Sequence, residues 1–326
     1  MLKSSVFLKA PILVSDLLRA RNVQPHLAIL IYHQVLAQPD PLRPGVILQK
    51  QFVQQMALLR RHFHPISLRE GVQRLKDGTL TPRCVCVTFD DGYADNLTVA
   101  APVLAEYGIP ATVFVASGFL DGGIMWNDRI IQAVGQARVD ALDGSFLGVE
   151  SLPTNTPEDK QHTIGTLLGG IKHRSMSERL VLVGELEKLL DASPRESPML
   201  TTAQLRELAR ADIDIGAHTC NHPILSCEDD DTAHSEIVES KAELETLLQK
   251  SIDLFAYPNG RRGLDYDTRH VDMVERAGFT AAVSTDNGLN RQGGKSMQLH
   301  RFTPWDASPF KFCARLAGNE FMLKQQ

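Results

Sequence analysis

Two adjacent carboxylates, Asp90 and Asp91, are the residues of this sequence best placed to do chemistry, because they follow a short apolar run at 84–87. They lie within a Thr-Phe-Asp-Asp-Gly-Tyr segment at 88–93. Two like charges at the mouth of a buried strand resist desolvation together, so such a pair is normally held by a cation. One carboxylate can then bind the metal while the other acts as a base. The alternative is a strand that ends in an ordinary Asp-Gly turn.

Two histidines far downstream, His218 and His222, supply imidazole nitrogens that would complete a metal site. The residues at 212–217 favour a strand and Pro223 opposes a helix, so the two rings are expected to converge from a loop. One carboxylate with two imidazoles and an open position is typical of a catalytic metal site. Zinc suits this set, and cobalt, nickel or iron also fit it. Surface histidines without a ligand role are the alternative.

The order of these motifs resembles the polysaccharide deacetylases of carbohydrate esterase family 4, which are relatives of the chitooligosaccharide deacetylases. The resemblance runs from about residue 27 to residue 302, with one interruption. It implies a metal-dependent hydrolase that removes N-acetyl groups from an amino sugar in a polysaccharide, oligosaccharide or glycan precursor. It also implies that Asp90 is the base and that Asp91 binds the metal with the two histidines. The residues alone leave the roles of the two aspartates interchangeable.

The resemblance further implies a backbone donor for the oxyanion, and here the sequence departs from the family pattern. The family's Arg-x-Pro-Tyr-like motif corresponds to a Phe-Ala-Tyr-Pro-Asn-Gly segment, which places the donor at Asn259 and Tyr257 beside the substrate. The family arginine that braces the catalytic aspartate is replaced by Ala256. Arg301 is the candidate substitute and Arg261, in a glycine-flanked loop, is a weaker one. A surface ion pair is the alternative for either arginine.

The leaving amine needs a proton, and a histidine is the usual donor. His300 follows Leu299 in a segment that resembles the family's late Leu-x-His motif, although the register is one residue off. Strand alternation places Leu299 and Arg301 on one face and His300 on the other. His33 is the rival, because it follows Tyr32 at the end of the first apolar run and a similar Tyr-His occurs in several deacetylase branches.

Aromatic and polar residues near these motifs are candidates for contacts with sugar. Trp126, Trp305 and Tyr93 could stack on sugar rings, and core packing is the alternative for each of them. Asn127 and Asp128 could supply polar contacts at a substrate groove.

The apolar runs that carry these motifs predict an α/β fold. Short strands are expected at 27–32, 84–89, 111–115, 213–218, 254–258, 280–284 and 299–302, most of them followed by a helix. Strand, helix and strand within about thirty residues form a βαβ unit with parallel pairing. Seven such strands indicate a closed or nearly closed barrel with its chemistry at the carboxyl ends of the strands. The distorted (β/α)7 barrel that the resemblance implies agrees with this interpretation.

Two segments fall outside the repeat of strands and helices. Residues 1–25 are expected to be a lead-in with one helix at about 11–21, followed by a barrel domain at 26–326. Residues at about 118–199 read as a mainly helical insertion across the mouth of the barrel. This insertion either helps to define the substrate groove or serves as a structural cap.

Composition limits the remaining classes of function. A net charge of −5 without a dense Lys/Arg cluster argues against a nucleic-acid partner. An odd number of cysteines, five, without paired spacing argues against a disulfide framework. Since no signal peptide or transmembrane run is evident, a cytoplasmic location is expected. The rival functions are hydrolysis of a non-sugar amide or ureide bond and non-catalytic carbohydrate binding.

Overall fold

The computed structural model describes residues 25–192, 196–211 and 213–304, together with Phe312 and Leu316. The predicted helix at 11–21, most of the lead-in and Trp305 lie outside the described residues. Within these residues, no helix has the length and apolar character needed to cross a membrane.

The described elements alternate between strands and helices through most of the chain. The strands are β1 (His26–Tyr32), β2 (His64–Pro65), β3 (Cys84–Phe89), β4 (Ala111–Val115), β5 (Ala141–Asp143), β6 (Ser151–Pro153), β7 (Ile213–Ala217), β8 (Leu254–Ala256), β9 (Ala281–Val283) and β10 (Asn290–Arg291). The helices are α1 (Gln49–His62), α2 (Leu68–Asp77), α3 (Ala101–Tyr107), α4 (Trp126–Gln136), α5 (Pro157–Ile171), α6 (Met176–Leu189), α7 (Thr202–Leu208), α8 (Asp230–Leu248) and α9 (Thr268–Arg276). A π-helical turn at Asn96–Ala100 leads into α3.

The main sheet is parallel and curls into a barrel, as predicted. Its order is β10-β1-β3-β4-β7-β8-β9, with β2 beside β3, and only β10 pairs in an antiparallel manner. The segment at 299–302 lies between β9 and β1. The amide of Leu299 donates to the carbonyl of Ala282 (2.9 Å) and the amide of Phe302 donates to that of Ile29 (2.7 Å). This segment therefore closes the curl as its seventh strand-like segment.

Alternation along the strands divides the barrel's apolar side chains into two clusters. One cluster contains Leu27, Ile29, Phe114 and Val283 together with the apolar face of α2, which packs at the amino ends of the strands. A Cβ on Gly71 of α2 would lie 2.8 Å from the Leu27 side chain, so this close approach requires glycine. The outward-facing residues pack against the surrounding helices in a second cluster. Apolar side chains therefore fill the amino end of the barrel, and catalytic residues can lie only at its carboxyl end.

The insertion has an apolar cluster of its own. Helices α4, α5 and α6 pack around Ile130, Leu167 and Val183, and Arg129 of α4 forms a bidentate pair with Glu187 of α6. The segment also contains a two-stranded antiparallel sheet of β5 and β6, which the sequence reasoning did not predict.

Candidate metal centre and active site

The turn after β3 sends its two carboxylates to different partners. The amide of Asp90 continues the ladder by donating to the carbonyl of Tyr32 (3.0 Å), whereas Asp91 has a φ of 76° and Gly92 a φ of 87°. A Cβ on Gly92 would lie 3.1 Å from the Val115 side chain, so both the backbone angle and the packing favour glycine there. This sharp turn separates the side chains of Asp90 and Asp91.

Asp91 meets both predicted histidine ligands. Its Oδ1 lies 3.4 Å from Nε2 of His218 and 3.3 Å from Nε2 of His222. One ligand atom from each residue lies within 4.8 Å of the others. The Oδ1 atom is buried and has no hydrogen-bond partner among the described residues. A divalent cation about 2.0–2.2 Å from each donor would fit between atoms at these separations.

The protonation states also suit a metal site. Nδ1–H of His218 donates to the carbonyl of Ala256 (2.7 Å), which leaves Nε2 facing Asp91. Burial, together with the charges of His218 and Arg179, lowers the pKa of His222 to about 3, so this ring is neutral at neutral pH. Burial opposes ionisation of Asp91, but the histidines outweigh it and its pKa is lowered. Burial lowers the pKa of His218, but Asp90 and Asp91 outweigh it and the pKa is raised, so a cation bound there would displace a proton from this ring.

The loop that carries the histidines is held by a buried carboxylate. Thr219 and His222 have left-handed φ angles of 62° and 52°, which non-glycine residues adopt only when the surroundings enforce them. Glu236 of α8 accepts hydrogen bonds from the amides of Cys220 (2.9 Å) and Asn221 (2.7 Å), and from the Asn221 side chain (2.7 Å). This carboxylate therefore fixes the backbone between the two ligands.

Arg179 of α6 approaches the same loop from the insertion. Its side chain is buried, its Nη2 donates to the carbonyl of His222 (3.5 Å), and its guanidinium lies 5.1 Å from the ring centroid of Trp126. Burial lowers the pKa of Arg179. The segment between β4 and β7 thus contacts the loop that carries the two histidines.

We expect Glu236→Gln to weaken metal binding by roughly 10–100-fold, as is typical when a supporting residue behind a ligand is lost. Glutamine keeps the volume but turns one acceptor into an N–H donor that faces another N–H of the loop. Titration of metal-free protein against a chelating dye measures the change. Glu239→Gln, at an exposed position on the same helix, is the control. Equal affinities in the two variants would contradict the supporting role.

Arg301 pairs with Asp90 inside the barrel. Its Nη1 and Nη2 donate to the two carboxylate oxygens of Asp90, both at 2.6 Å. Its Nε donates to the carbonyl of Ser284 (2.8 Å). Arg301 is 1% exposed and Asp90 2% exposed, so the pair is fully desolvated. Burial raises the pKa of Asp90, but Arg301 and His218 outweigh it and the pKa is lowered. Arg301 thus makes the contact with Asp90 that the methyl side chain of Ala256 cannot make.

The structure separates the two candidate acids. His300 lies on the face opposite to Arg301, half-buried, and its ring would be 2.8 Å from a Cβ on Gly288. It is therefore turned away from the aspartates, as strand alternation requires. His33 is exposed and lines the same cavity as Asp91. His300 is not brought to the site, and His33 is.

Several residues expected to contact substrate have other partners. Tyr257 faces outward from the barrel, where it stacks on Tyr266 with ring centroids 3.8 Å apart and donates to the carbonyl of Met297 (3.0 Å). Alternation explains this placement, because Ala256 is the inward residue. Trp126 is half-buried beneath Arg179, so that contact occupies one of its faces.

The remaining predicted residues lie at or near the mouth of the barrel. Tyr93 is buried and its hydroxyl donates to Asp128 (3.0 Å), so it lines the cavity without offering an exposed face. Burial and the charge of Asp91 raise the pKa of Asp128 to about 6, although the Tyr93 bond opposes this. Asn259, with a φ of 57°, follows β8, whose Ala256 carbonyl holds His218.

Sequence reasoning did not single out Glu236 and Arg179. Each lies on the apolar face of its helix, Glu236 with Ala233 and Ile237, and Arg179 with Val183. A charged residue at a buried helical position was the signal that could have identified both.

Comparisons with known proteins agree on the family and on the type of fold. A family model described as polysaccharide deacetylase matches residues 77–141 and 171–282, which together are more than half of the chain. The unmatched residues between these ranges belong to the insertion. YxkH of Bacillus subtilis (strain 168), which carries a provisional polysaccharide deacetylase name, is 24% identical over 277 residues, covering 84% of this chain and 70% of YxkH.

Solved structures share the architecture at low sequence identity. The deacetylase PplD of Streptococcus pyogenes, solved with acetate, superposes with a TM-score of 0.58 at 19% identity, covering 86% of this chain and 93% of that one. IcaB from Ammonifex degensii gives a TM-score of 0.59 at 18% identity, with 91% and 97% covered.

Proposed function

The chain belongs to the polysaccharide deacetylase family, whose members are hydrolases of carbon–nitrogen bonds other than peptide bonds, and on this premise we propose that it is a metal-dependent hydrolase that removes acetyl from an N-acetylated amino sugar. The observation that carries the proposal is the convergence of Asp91, His218 and His222 next to the Asp90–Arg301 pair. The products are acetate and a free amine.

The metal ligands in this proposal are Asp91, His218 and His222, and zinc is the preferred ion because the donors are two nitrogens and one oxygen. A divalent cation bound there supplies a Lewis acid that polarises the acetyl carbonyl and makes water acidic. Asp91 rather than Asp90 is assigned as the ligand, because Asp90 lies 4.0 Å from the nearest imidazole nitrogen and both of its oxygens accept from Arg301.

Asp90 is the proposed general base. Arg301 holds it in one orientation and lowers its pKa, so the carboxylate is anionic at neutral pH. It takes a proton from the water that attacks the acetyl carbon. Asn259 is the proposed backbone donor for the developing oxyanion.

His33 is the proposed acid for the leaving amine. It lines the cavity with Asp91 and its charge acts on both aspartates. Its exposure lets it exchange protons with solvent after each turnover.

Metal analysis and an acetate-release assay test the proposal together. We expect about one equivalent of divalent metal per chain, and acetate release from chitooligosaccharides that stops on chelation and returns on adding zinc. Amide and ureide substrates without sugar are assayed in parallel. If the protein hydrolyses only these compounds, the substrate is not an N-acetylated sugar. If the protein binds glycans but holds no metal, it is a non-catalytic relative of the deacetylases.

A further inference from the structure

The cavity at the mouth of the barrel has a polar part and an aliphatic part. Its volume is about 810 Å³, at the upper end of the range of small-molecule sites. The polar part includes the active-site residues His33, Asp91 and Asp128. The aliphatic part consists of the side chains Leu42, Val46, Ile47, Ile131, Ile164 and Leu168. These aliphatic side chains, called here the aliphatic wall, come from the 42–47 loop and from helices α4 and α5.

The aliphatic wall is built by packing between the loop and the insertion. A Cβ on Gly135 of α4 would lie 2.9 Å from the end of the Leu42 side chain, which shows how closely the loop packs on this helix. The Gln161 side chain of α5 donates to the carbonyl of Pro41 (2.7 Å). Arg43 also lines the cavity, and its guanidinium donates to the carboxylate of Asp40 (2.7 Å) and to the side-chain carbonyl of Gln34 (2.6 Å). These contacts hold the loop against the helices.

The aliphatic wall is poorly suited to a second sugar ring. Sugar rings are usually bound through flat aromatic faces and hydrogen-bonding groups. The aromatic residues described along this cavity are Tyr32 and Tyr93, which are 4% and 3% exposed and so offer no stacking face. Aliphatic side chains instead bind an apolar group because contact with them removes its methylene groups from water.

We propose that the substrate is an N-acetylated amino sugar that carries an aliphatic chain at its anomeric carbon, and that the aliphatic wall binds this chain. The inference rests on the proposed function, because the acetyl group must reach Asp91 at the barrel mouth. The wall belongs to the loop and the insertion rather than to the barrel. The anomeric carbon adjoins the carbon that bears the acetamido group, so a chain attached there can extend from the reacting group along the same cavity to the aliphatic wall.

The test compares octyl and methyl N-acetylglucosaminides, both below the critical micelle concentration of the octyl compound. We expect kcat/KM to be at least about 30-fold higher for the octyl glycoside, since several methylenes become buried. Leu168→Gln, at a half-buried position of the wall, should reduce this advantage to less than about 5-fold. Leu180→Gln, at an exposed position of α6, is the matched control.

Calorimetric binding of both glycosides to metal-free protein separates this inference from the proposed function. Binding of the octyl compound that depends on Leu168 supports the inference even if no acetate is released, an outcome that defeats the proposed function alone. Equal kcat/KM for the two glycosides, or a loss in Leu168→Gln that is the same for both, overturns the inference and leaves deacetylation standing. A preference for an N-octanoyl methyl glycoside over the octyl N-acetyl compound also overturns it, because the chain would then belong to the acyl group.

Discussion

Replacing Asp90 with asparagine is expected to abolish acetate release while leaving the metal bound, whereas His218→Ala is expected to lose both. Asp90 lies outside the triangle of ligand atoms, and Arg301 already occupies both of its oxygens. Loss of a general base lowers turnover by roughly 10²–10⁴-fold. His218 provides one of three donors, so its removal leaves too few ligands for tight binding. Metal content by mass spectrometry, measured beside the rate, distinguishes the two cases.

Asp91→Asn is the comparison that assigns the aspartates. This variant removes the same charge as Asp90→Asn, one position further along the chain. It should nevertheless lose the metal, because Oδ1 of Asp91 faces both imidazoles. Thermal melting of each variant shows whether the protein remains folded. Equal metal loss in Asp90→Asn and Asp91→Asn would contradict this division of roles.

The barrel strands could be predicted from the sequence because buried parallel strands are continuous apolar runs. The run at 84–89 is the observed β3, and the segment at 299–302 closes the barrel where it was expected. The mainly helical character expected at about 118–199 corresponds to α4, α5 and α6. The hairpin of β5 and β6 was missed, because three-residue strands at a half-exposed position carry almost no periodic signal.

The parts of the site that depend on local motifs and on strand alternation could be predicted from the sequence. Residue type and spacing predicted that the aspartate pair and the two histidines would meet, and the structure brings Asp91, His218 and His222 together. Strand alternation already placed His300 and Arg301 on opposite faces. That Arg301 holds Asp90 depends on barrel closure, which joins residues 211 positions apart. The partners of Tyr257 and Trp126 are Tyr266 and Arg179, and no local pattern predicts those contacts.

Arg301→Met is expected to lower the free energy of unfolding by about 3–5 kcal/mol, the usual effect of removing one partner from a buried ion pair. Asp90 would remain buried at 2% exposure without its counter-ion. Activity should fall as well, because the base loses both its orientation and its favoured anionic form. Chemical denaturation and acetate release measure the two effects. Arg261→Met, which removes an exposed arginine, is the control.

The contribution of Asp90 to the free energy of unfolding should depend on pH with the opposite sign in Arg301→Met. In the native protein the pKa of Asp90 is lowered, so its contribution is present above the unfolded value of about 3.9 and is lost on acidification. Without Arg301, burial raises that pKa, so the folded variant retains a proton that the unfolded chain releases, and stability falls as pH rises from about 4. Adding Asp90→Asn to Arg301→Met should remove this slope and recover stability without recovering activity. A single variant as stable at pH 8 as at pH 5 would show that Asp90 does not depend on this arginine.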